Sequence, residues 1–510
     1  MSTTKHLSIR RYLMLSIVLI MSLASALTLT SCKSSIPKNT VFSVDDLSGK
    51  KIGVQLGTTG DIYVSDMEED GSQTVVERYN KGTDAVQALK QGKIDAVVID
   101  VQPAEEFVKA NSDLMILDEE FVTENYAICI AKGNSSLKAK INEAINVLKS
   151  DGTLDKIINN YIGENATGES YAAKSSLDRS NGTLTMATNA YFKPYEYYEN
   201  GKVTGIDADM AQAIADYLNM SLKIEDMEFD SVITAVSSGK ADVGICGMTV
   251  TEDRLKNIDF SDSYTTSKQV IIVRNNDAKA SGMSLADKFK SDFVQDNRYQ
   301  YLLTGLRNTI VIALFAALIG IVIGFIIAVI RSSHDKTGNL KIANFICNLY
   351  LTIIRGTPTM VQLLIIYYII FSSVSINKVI VAILAFGINS GAYVAEIFRS
   401  GIMAIDQGQF EASRSLGLTY RQTMMLVILP QAFKNVLPAL ANEFIVLLKE
   451  TSISGYIGLN DLTRGGDIIR SITYDPLLPL FGVALIYLVL VVILSQLVKK
   501  LERRLRKNER

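Results

Sequence analysis

The chain has 510 residues, of which 48% are apolar and 20% are charged, and its formal net charge is −2. It is too long for one ordinary domain, and its near-neutral charge argues against a nucleic-acid binder that depends on overall basic charge. The four cysteines and two histidines occur at no metal-ligand spacing, and no P-loop motif is present. We therefore expect no metal, cofactor or ATPase site in this chain.

The N-terminal segment has the composition of an export signal. Basic residues precede an apolar run from Tyr12 to Leu29, which is typical of a secretory signal in residues 1–32. The run ends in Leu29-Thr30-Ser31-Cys32, which resembles the bacterial lipobox and implies lipidation of Cys32. An uncleaved signal anchor is the alternative, and in both cases the residues after 32 lie outside the cell.

Residues 307–498 have the composition of a membrane domain, whereas residues 33–300 have that of a soluble α/β protein. Because about 20 apolar residues span a bilayer as a helix, we expect five transmembrane helices. Basic residues in the loops and in the tail 501–510 place the C-terminus in the cytoplasm of a bacterial cell and the soluble half outside. Four polar side chains in the apolar segments are candidates for a translocation path: Asn389, Asn442, Glu443 and Glu450. The expected crossings are Thr309–Ile330, Phe345–Phe371, Val379–Phe398, Leu426–Leu448 and Leu477–Leu497.

One internal loop carries the most specific motif of the sequence. Glu411-Ala412-Ser413-Arg414-Ser415-Leu416-Gly417 is followed by Ile428-Leu429-Pro430, and this pattern resembles the EAA loop of ABC importer permeases. The resemblance implies that Glu411, Ala412 and Gly417 contact a separate ATPase dimer, which binds ATP and magnesium. The segment around IIRGTPTMVQLL resembles permeases of the polar amino-acid (glutamine/histidine) type, over residues 301–500. Because one such loop and five helices make half a translocator, we expect a homodimer, with a second permease as the alternative partner.

The soluble half alternates short apolar runs with helical patterns, which predicts a largely parallel sheet. Residues 183–275, with ATNAYFKPYEYYENGKVTG and GKADVGICGMT, resemble lobe 1 of extracellular amino-acid-binding proteins. Residues 41–131, with KKIGVQLGTTGD and GKIDAVVID, resemble lobe 2, and residues 132–164 resemble the C-terminal helices of that family. The resemblance implies a two-lobed, type II periplasmic-binding-protein-like fold.

The order of these pieces differs from that of the family, in which lobe 1 comes first. Joined through the linker 165–182, the pieces make one complete module, which predicts a circular permutation. Two truncated modules are the alternative. The permuted order leads us to expect the chain break in an inter-lobe strand, a single remaining crossing near Tyr126–Ile130, and membrane attachments on the hinge side. Residues 276–300 are expected to link lobe 1 to the membrane domain.

A bound amino acid needs donors for its carboxylate and acceptors for its ammonium group. By the resemblance, Arg254 pairs with the carboxylate, supported by Thr249 and the backbone of Thr58 and Thr59, and Asp100 accepts from the ammonium. The remaining implied contacts are the carbonyl of Gly247, the aromatic walls Phe192 and Phe229, and the side-chain contacts Asn189 and Gln55.

These features predict a transport protein with no catalytic residues of its own, and two other functions are the alternatives. Two neutral amides, Asn189 and Gln55, favour a glutamine-like substrate over a cationic one. A ligand-gated receptor or channel would use the same fold, but the sequence shows neither a selectivity filter nor a signalling domain. An enzyme such as a dehydratase is opposed by the fused permease and the paired Arg254 and Asp100.

Overall fold

The computed structural model describes residues 37–69, 73–163, 165–277, 284–372, 374, 376–475 and 477–507. The predicted signal segment, Cys32 and the last residues of the basic tail lie outside these residues. The strands are β1 (Lys51–Gln55), β2 (Val75–Tyr79), β3 (Ala96–Asp100), β4 (Leu114–Ile116), β5 (Val122–Ala131), β6 (Thr183–Thr188), β7 (Tyr191–Phe192), β8 (Glu196–Glu199), β9 (Lys202–Thr204), β10 (Ser221–Asp226), β11 (Val243–Gly244) and β12 (Ile258–Arg274).

Helices cover the sheet in the soluble half and form the C-terminal half. In the soluble half they are α1 (Thr59–Glu69), α2 (Gly82–Lys90), α3 (Val101–Ala110), α4 (Ser135–Ser150), α5 (Thr153–Tyr161), α6 (Ile206–Tyr217), α7 (Phe229–Ser237) and α8 (Glu252–Leu255). The others are α9 (Leu285–Phe289), α10 (Tyr299–Thr337), α11 (Lys341–Gly356), α12 (Thr359–Ile365), α13 (Lys378–Met403), α14 (Gln407–Ser415), α15 (Tyr420–Thr423), α16 (Leu429–Glu450), α17 (Leu462–Thr473) and α18 (Leu477–Lys507).

A single nine-stranded sheet joins both parts of the soluble half, in the order β10-β6-β11-β5-β12-β3-β1-β2, with β4 on β12. We call the part with β6, β10 and β11 lobe 1, and the part with β1, β2 and β3 lobe 2. The helices α4 and α5 pack on lobe 1, where Ile141 and Leu154 share a core with Leu184 and Met210. Since the segments before and after residue 164 build one sheet, the alternative with two incomplete modules does not describe this fold.

Two strands cross between the lobes, which corrects the expectation of a single crossing. β5 and β12 pair antiparallel from Val122↔Gln269 to Ala131↔Ile258. At one end β5 pairs with β11 of lobe 1, and at the other β12 pairs with β3 of lobe 2. The chain break therefore falls beyond the end of β12, within lobe 2, and leaves both inter-lobe strands intact.

The two ends of the soluble module lie side by side in lobe 2. The backbone N–H of Asn39 donates to Asn276 Oδ1 at 2.8 Å, and Arg274 Nε donates to the carbonyl of Pro37 at 2.9 Å. Arg274 also donates to the carbonyl of Ile94, before the start of β3, whereas Asp100 ends β3 at the cleft. Adjacent ends are what a circular permutation requires. They lie away from the hinge, so the expectation that the membrane attachments leave from the hinge side is wrong.

Four helices among the described residues are long and apolar enough to cross a membrane, and a bent pair can form a fifth span. The pair α11 and Thr359–Ile370 is bent by 108°. The bend falls at Thr357-Pro358, because proline disfavours helical backbone in the residue before it and lacks an N–H donor. The helices α10 and α13 pack closely through glycines: a Cβ on Gly324 would lie 2.6 Å from Val394, and one on Gly391 would lie 2.8 Å from Ile323.

The soluble module contacts one end of these helices, and the loop with the EAA-like motif lies at the other. Lys378, at the start of α13, forms an ion pair with Glu225 of lobe 1. The 26 residues of α13 then extend about 39 Å at 1.5 Å per residue before α14 begins. The membrane helices therefore separate the soluble module from the loop with the EAA-like motif.

Candidate functional site

A narrow cavity of about 10 Å³ lies between the lobes. Eight of the ten residues that the sequence analysis assigned to ligand binding line it, and the other two, Thr249 and Arg254, lie directly behind it. Lobe 2 contributes the ends of β1 and β3 and the start of α1, and lobe 1 contributes the ends of β6 and β11 and the start of α7. The cavity is lined by Gln55, Thr58, Thr59, Asp100, Asn189, Phe192, Glu196, Phe229, Cys246 and Gly247.

Arg254 connects the two lobes. Its guanidinium donates to the carbonyl of Thr249 at 2.7 Å and to the carbonyl of Gly57 in lobe 2 at 2.8 Å, and it lies 5.6 Å from the centre of the Phe229 ring. The side chain is buried, and burial lowers the pKa of the guanidinium, although a guanidinium stays charged in proteins. A buried, planar cation at this position can bind a carboxylate with two parallel hydrogen bonds.

The predicted supporting donors lie at a helix start. α1 begins at Thr59, so the backbone N–H groups of its first turn have no partner within the helix. The Thr59 hydroxyl donates to Thr249 Oγ1 across the cleft at 3.1 Å. Gly57 precedes this turn with a φ of +75°, a backbone conformation that glycine adopts at low cost. This end of the cavity therefore combines a cation with helix-start N–H groups, which suits an anion.

Asp100 belongs to a buried cluster of acidic groups that the sequence analysis only partly identified. Its carboxylate accepts from the hydroxyl of Tyr126, and the buried Glu124 accepts from Thr249 Oγ1 at 2.8 Å. Burial and the nearby charge of Glu124 raise the pKa of Asp100 to about 7. Burial likewise raises the pKa of Glu124. A cation brought between these groups would restore their ionisation, so the arrangement suits an ammonium group.

A second acidic pair lines the lobe 1 side. Gly247 donates its backbone N–H to Asp207 Oδ2 at 2.8 Å, and the hydroxyl of Tyr264 donates to the same carboxyl. Burial raises the pKa of Asp207 to about 6, and burial with Asp207 nearby raises that of Glu196 well above its usual range. Both shifts favour the neutral acid, which makes the cavity wall less negative than its carboxyl count suggests.

Gln55 and Asn189 face each other across the cleft. The side-chain amide of Gln55 donates to Asn189 Oδ1 at 3.2 Å, and the amide of Asn189 donates to the carbonyl of Met227 at 2.7 Å. The predicted glutamine preference rests on these two neutral side chains.

Polar residues at or near the site that were not identified from the sequence include Glu124, Tyr126, Glu196, Asp207, Tyr264 and Gln269. Glu124 could have been identified from the sequence, because it lies next to the apolar run of β5, where burying a carboxylate is costly. Glu196 gave no comparable signal, since its neighbours in a short hairpin are tyrosines and a second glutamate and not an apolar run.

The segment predicted to contact an ATPase is a short exposed helix. Asp406 caps α14 by accepting from the backbone N–H of Gly408 at 2.6 Å, and Gly417 ends the turn with a φ of +86°. Glu411, Ala412 and Gly417 are exposed. Their role in coupling stays a prediction.

The polar residues of the predicted translocation path divide into two groups. Asn389 is buried and donates to Gln362 Oε1 at 3.0 Å, and Glu443 accepts from Ser390 Oγ at 2.9 Å. Asn442 is exposed, and Glu450 is half-buried at the end of α16. Gln362, just beyond the bend, was not identified from the sequence. Only Asn389 and Glu443 thus contact polar partners on a neighbouring helix.

Both halves of the chain are similar to known proteins. Residues 67–164 and 184–478 match the profile of bacterial extracellular solute-binding proteins, family 3. The chain is 40% identical over 211 residues to the arginine transport system permease protein ArtQ of Bacillus subtilis (strain 168), covering 41% of this chain and 94% of that protein. It is 36% identical over 208 residues to the glutamine transport system permease protein GlnP of Escherichia coli (strain K12), covering 40% and 93%.

Solved structures include a related transporter. The crystal structure of an amino acid ABC transporter with histidines is 40% identical and aligns with 44% of this chain and 100% of that chain, at a TM-score of 0.40. The family match extends over more than half of the chain, and the permease relatives are covered almost completely. The chain belongs to the bacterial extracellular solute-binding proteins of family 3, and it joins such a binding module to a permease domain of the polar amino-acid ABC transporter type.

Proposed function

We propose that this chain is the combined binding and permease subunit of an importer that takes up a polar amino acid at the expense of ATP. The observation that carries the proposal is the convergence of Arg254, Thr249 and the start of α1 on one side of the cleft, with Asp100 and Glu124 close by. A free amino acid carries one carboxylate and one ammonium group, and these two sets match them in charge.

We infer that the side chain of the substrate is neutral and polar, with glutamine favoured. Gln55 and Asn189 offer donors and acceptors without net charge, and burial favours the neutral form of the Glu196 and Asp207 carboxyls. Phe192 and Phe229 enclose the apolar stem.

ATP hydrolysis belongs to a separate ATPase subunit in this proposal. The exposed helix α14, with Glu411 and Ala412, and the turn at Gly417 offer the contact surface. Two copies of the chain would pair through the permease domain, with the lobes outside the cell and the C-terminus inside. Native mass spectrometry of the purified chain tests the dimer, and labelling of single cysteines from either side of the membrane tests the orientation.

Calorimetric titration of the full chain in lipid nanodiscs with each common amino acid tests the binding step. We expect one-to-one binding of glutamine that is strongly weakened in Arg254→Ala and Asp100→Ala. Lys109→Ala provides a matched control, since Lys109 forms an exposed ion pair with Glu106 on α3. Absence of binding by any amino acid, or tighter binding of arginine than of glutamine, would contradict the proposal or its substrate, respectively.

A further inference from the structure

Helix α17 of the permease domain carries charged residues that contact both lobes. Arg464 forms ion pairs with Asp226 and, at 3.7 Å, with Glu228, both in lobe 1. Asp467 forms an ion pair with Lys81 of lobe 2 at 2.7 Å, and Arg470 forms one with Asp84 of lobe 2. These three positions follow one another at a spacing of three residues, which places them along one face of the helix.

At the junction of the two lobes, Tyr191 contacts both lobe 2 and α17. The ring of Tyr191 in lobe 1 lies between two cations: Lys81 of lobe 2 is 4.6 Å from its centre, and Arg464 is 5.6 Å from it. Lys81 and Arg464 are both buried. A rotation that separates lobe 2 from lobe 1 would therefore break the contact of Lys81 with Tyr191, and the ion pairs of α17 could not form with both lobes at once.

Lobe 1 contacts the permease domain through a wide apolar surface as well. Met227 belongs to one buried cluster with Tyr367, Tyr368 and Leu459, and Lys240 donates to the carbonyl of Val374 at 2.9 Å. A Cβ on Gly458 would overlap the carbonyl of Asp226, so the backbones approach closely here. Apolar burial of this kind is insensitive to small changes in charge and favours a stable contact.

Lobe 2 contacts the permease domain differently. Its main contacts are the ion pairs of Lys81 and Asp84 with α17, and the edge-to-face contact of Phe107 with Tyr474, whose ring centres are 5.2 Å apart. Asp84 is about one-third exposed, so water can replace its partner when the pair separates. The contact of Asp84 with Arg470 is thus easier to break than the apolar contacts of lobe 1, whereas the pair of Lys81 and Asp467 is more buried.

We propose that α17 binds the closed form of the lobes selectively, with lobe 1 remaining on the permease domain while lobe 2 leaves Asp467 and Arg470 when the cleft opens. This inference rests on the proposed function and adds the surface by which the permease domain distinguishes closed from open lobes. By linkage, a surface that binds the closed form also raises the affinity of the cleft for its ligand.

The absence of tryptophan from the sequence allows a direct test. Phe107→Trp places a single fluorophore on lobe 2 against Tyr474, and Tyr368→Trp places one on the permease domain against Met227 of lobe 1. In full-length chain in nanodiscs, a mixture of the common amino acids without tryptophan and tyrosine should shift the emission of Trp at 107 to shorter wavelength and leave that of Trp at 368 unchanged. Equal emission shifts at both positions would overturn the proposal without affecting the proposed function. So would an unchanged emission of Trp at 107 while calorimetry detects binding.

A double-mutant cycle on the Phe107→Trp background tests the ion pair itself without any ligand. Part of the ligand-free population remains closed at equilibrium, so Asp84→Ala and Arg470→Ala, which remove a contact of the closed form, should each shift the emission to longer wavelength. The double variant should shift it no further than the larger single effect. In the presence of L-glutamine, each single variant should weaken binding about fivefold, and Lys109→Ala should change nothing. Unchanged emission in both single variants, or additive effects, would refute the role of α17. Failure of every amino acid to bind would refute the proposed function, while the ligand-free cycle would still decide the role of α17.

Discussion

Arg254 of lobe 1 and Gly57 of lobe 2 are separated by 197 residues in the chain and joined by a hydrogen bond of 2.8 Å. The contact links the guanidinium assigned to the substrate carboxylate with the turn that precedes α1. Closing the cleft thus brings the cation and the helix-start N–H groups together, and either lobe alone offers only half of this anion-binding arrangement.

Arg254→Ala should weaken glutamine binding about 30-fold, since a hydrogen bond to a charged group contributes about 2 kcal/mol. Arg254→Lys should recover only part of this loss, because an ammonium group cannot form two parallel bonds with a carboxylate. Arg179→Ala is the matched control, as Arg179 pairs with Asp216 in lobe 1. Calorimetry measures all three, and equal affinity of wild type and Arg254→Ala would exclude the assigned contact.

Binding should depend on pH through Asp100. Because its pKa is raised to about 7, its carboxylate becomes protonated below that pH, and an ammonium ligand then loses its acceptor. Affinity should fall by up to about tenfold per pH unit below 7 and level off above it. Without ligand, the stability of the fold depends on pH in the opposite direction. The folded state favours the neutral acid of Asp100, so the stabilisation that this protonated side chain contributes is lost as pH rises toward 7. Glu124 faces the same site, so Asp100→Asn should flatten the dependence without abolishing it.

Asn189→Asp should shift the preference toward cationic amino acids. The new carboxylate would accept from Gln55 as Asn189 Oδ1 does, and it would add a negative charge at the side-chain end of the cavity. The ratio of arginine to glutamine affinity should rise at least tenfold, as expected for one new charged contact. Competition binding with both amino acids measures the ratio, and an unchanged ratio would mean that Asn189 lies away from the substrate side chain.

Gly247→Ala should damage both stability and binding. Its φ is +56°, and a Cβ there would lie 2.8 Å from the Phe192 ring. Gly239→Ala is a useful control because Gly239 has a φ of +74° but nothing within 4 Å of the added Cβ. In the control, the free energy of unfolding should fall only by the cost of a left-handed backbone, about 1–2 kcal/mol. In Gly247→Ala it should fall further, because the added Cβ displaces Phe192. Thermal unfolding and calorimetry compare them; equal losses of stability and intact binding would contradict the steric argument.

Glu411→Ala should uncouple transport from binding. Glu411 is exposed on α14 and far from the cleft, so glutamine affinity should stay at the wild-type value. Uptake of labelled glutamine by cells that express the transporter should fall at least tenfold if this carboxylate contacts the ATPase. Glu252→Ala, an exposed change in lobe 1, should leave uptake intact. Normal uptake by Glu411→Ala would remove this residue from the coupling surface.

The sequence by itself determined the family, the two-lobed fold, the permease domain and the candidate site residues that line the cleft. Local patterns and motifs carry this information: short apolar runs predict strands, long ones predict membrane helices, and Gly-rich turns and polar residues at strand ends mark the cleft. β6, for example, is a short strand, Thr183–Thr188, at the start of the segment that resembles lobe 1.

Only the tertiary structure decided what depends on contacts between distant segments. The continuity of β12 from lobe 1 into lobe 2 corrected the expected hinge, since strand pairing and not local sequence determines where a strand ends. The pairing of Asp100 with Tyr126 and the burial of Glu124 and Glu196 depend on side chains that only the folded sheet brings together. The ion pairs of α17 with both lobes join residues hundreds of positions apart. Such pairings leave no periodicity in the sequence, because their energies arise from desolvation and geometry in three dimensions.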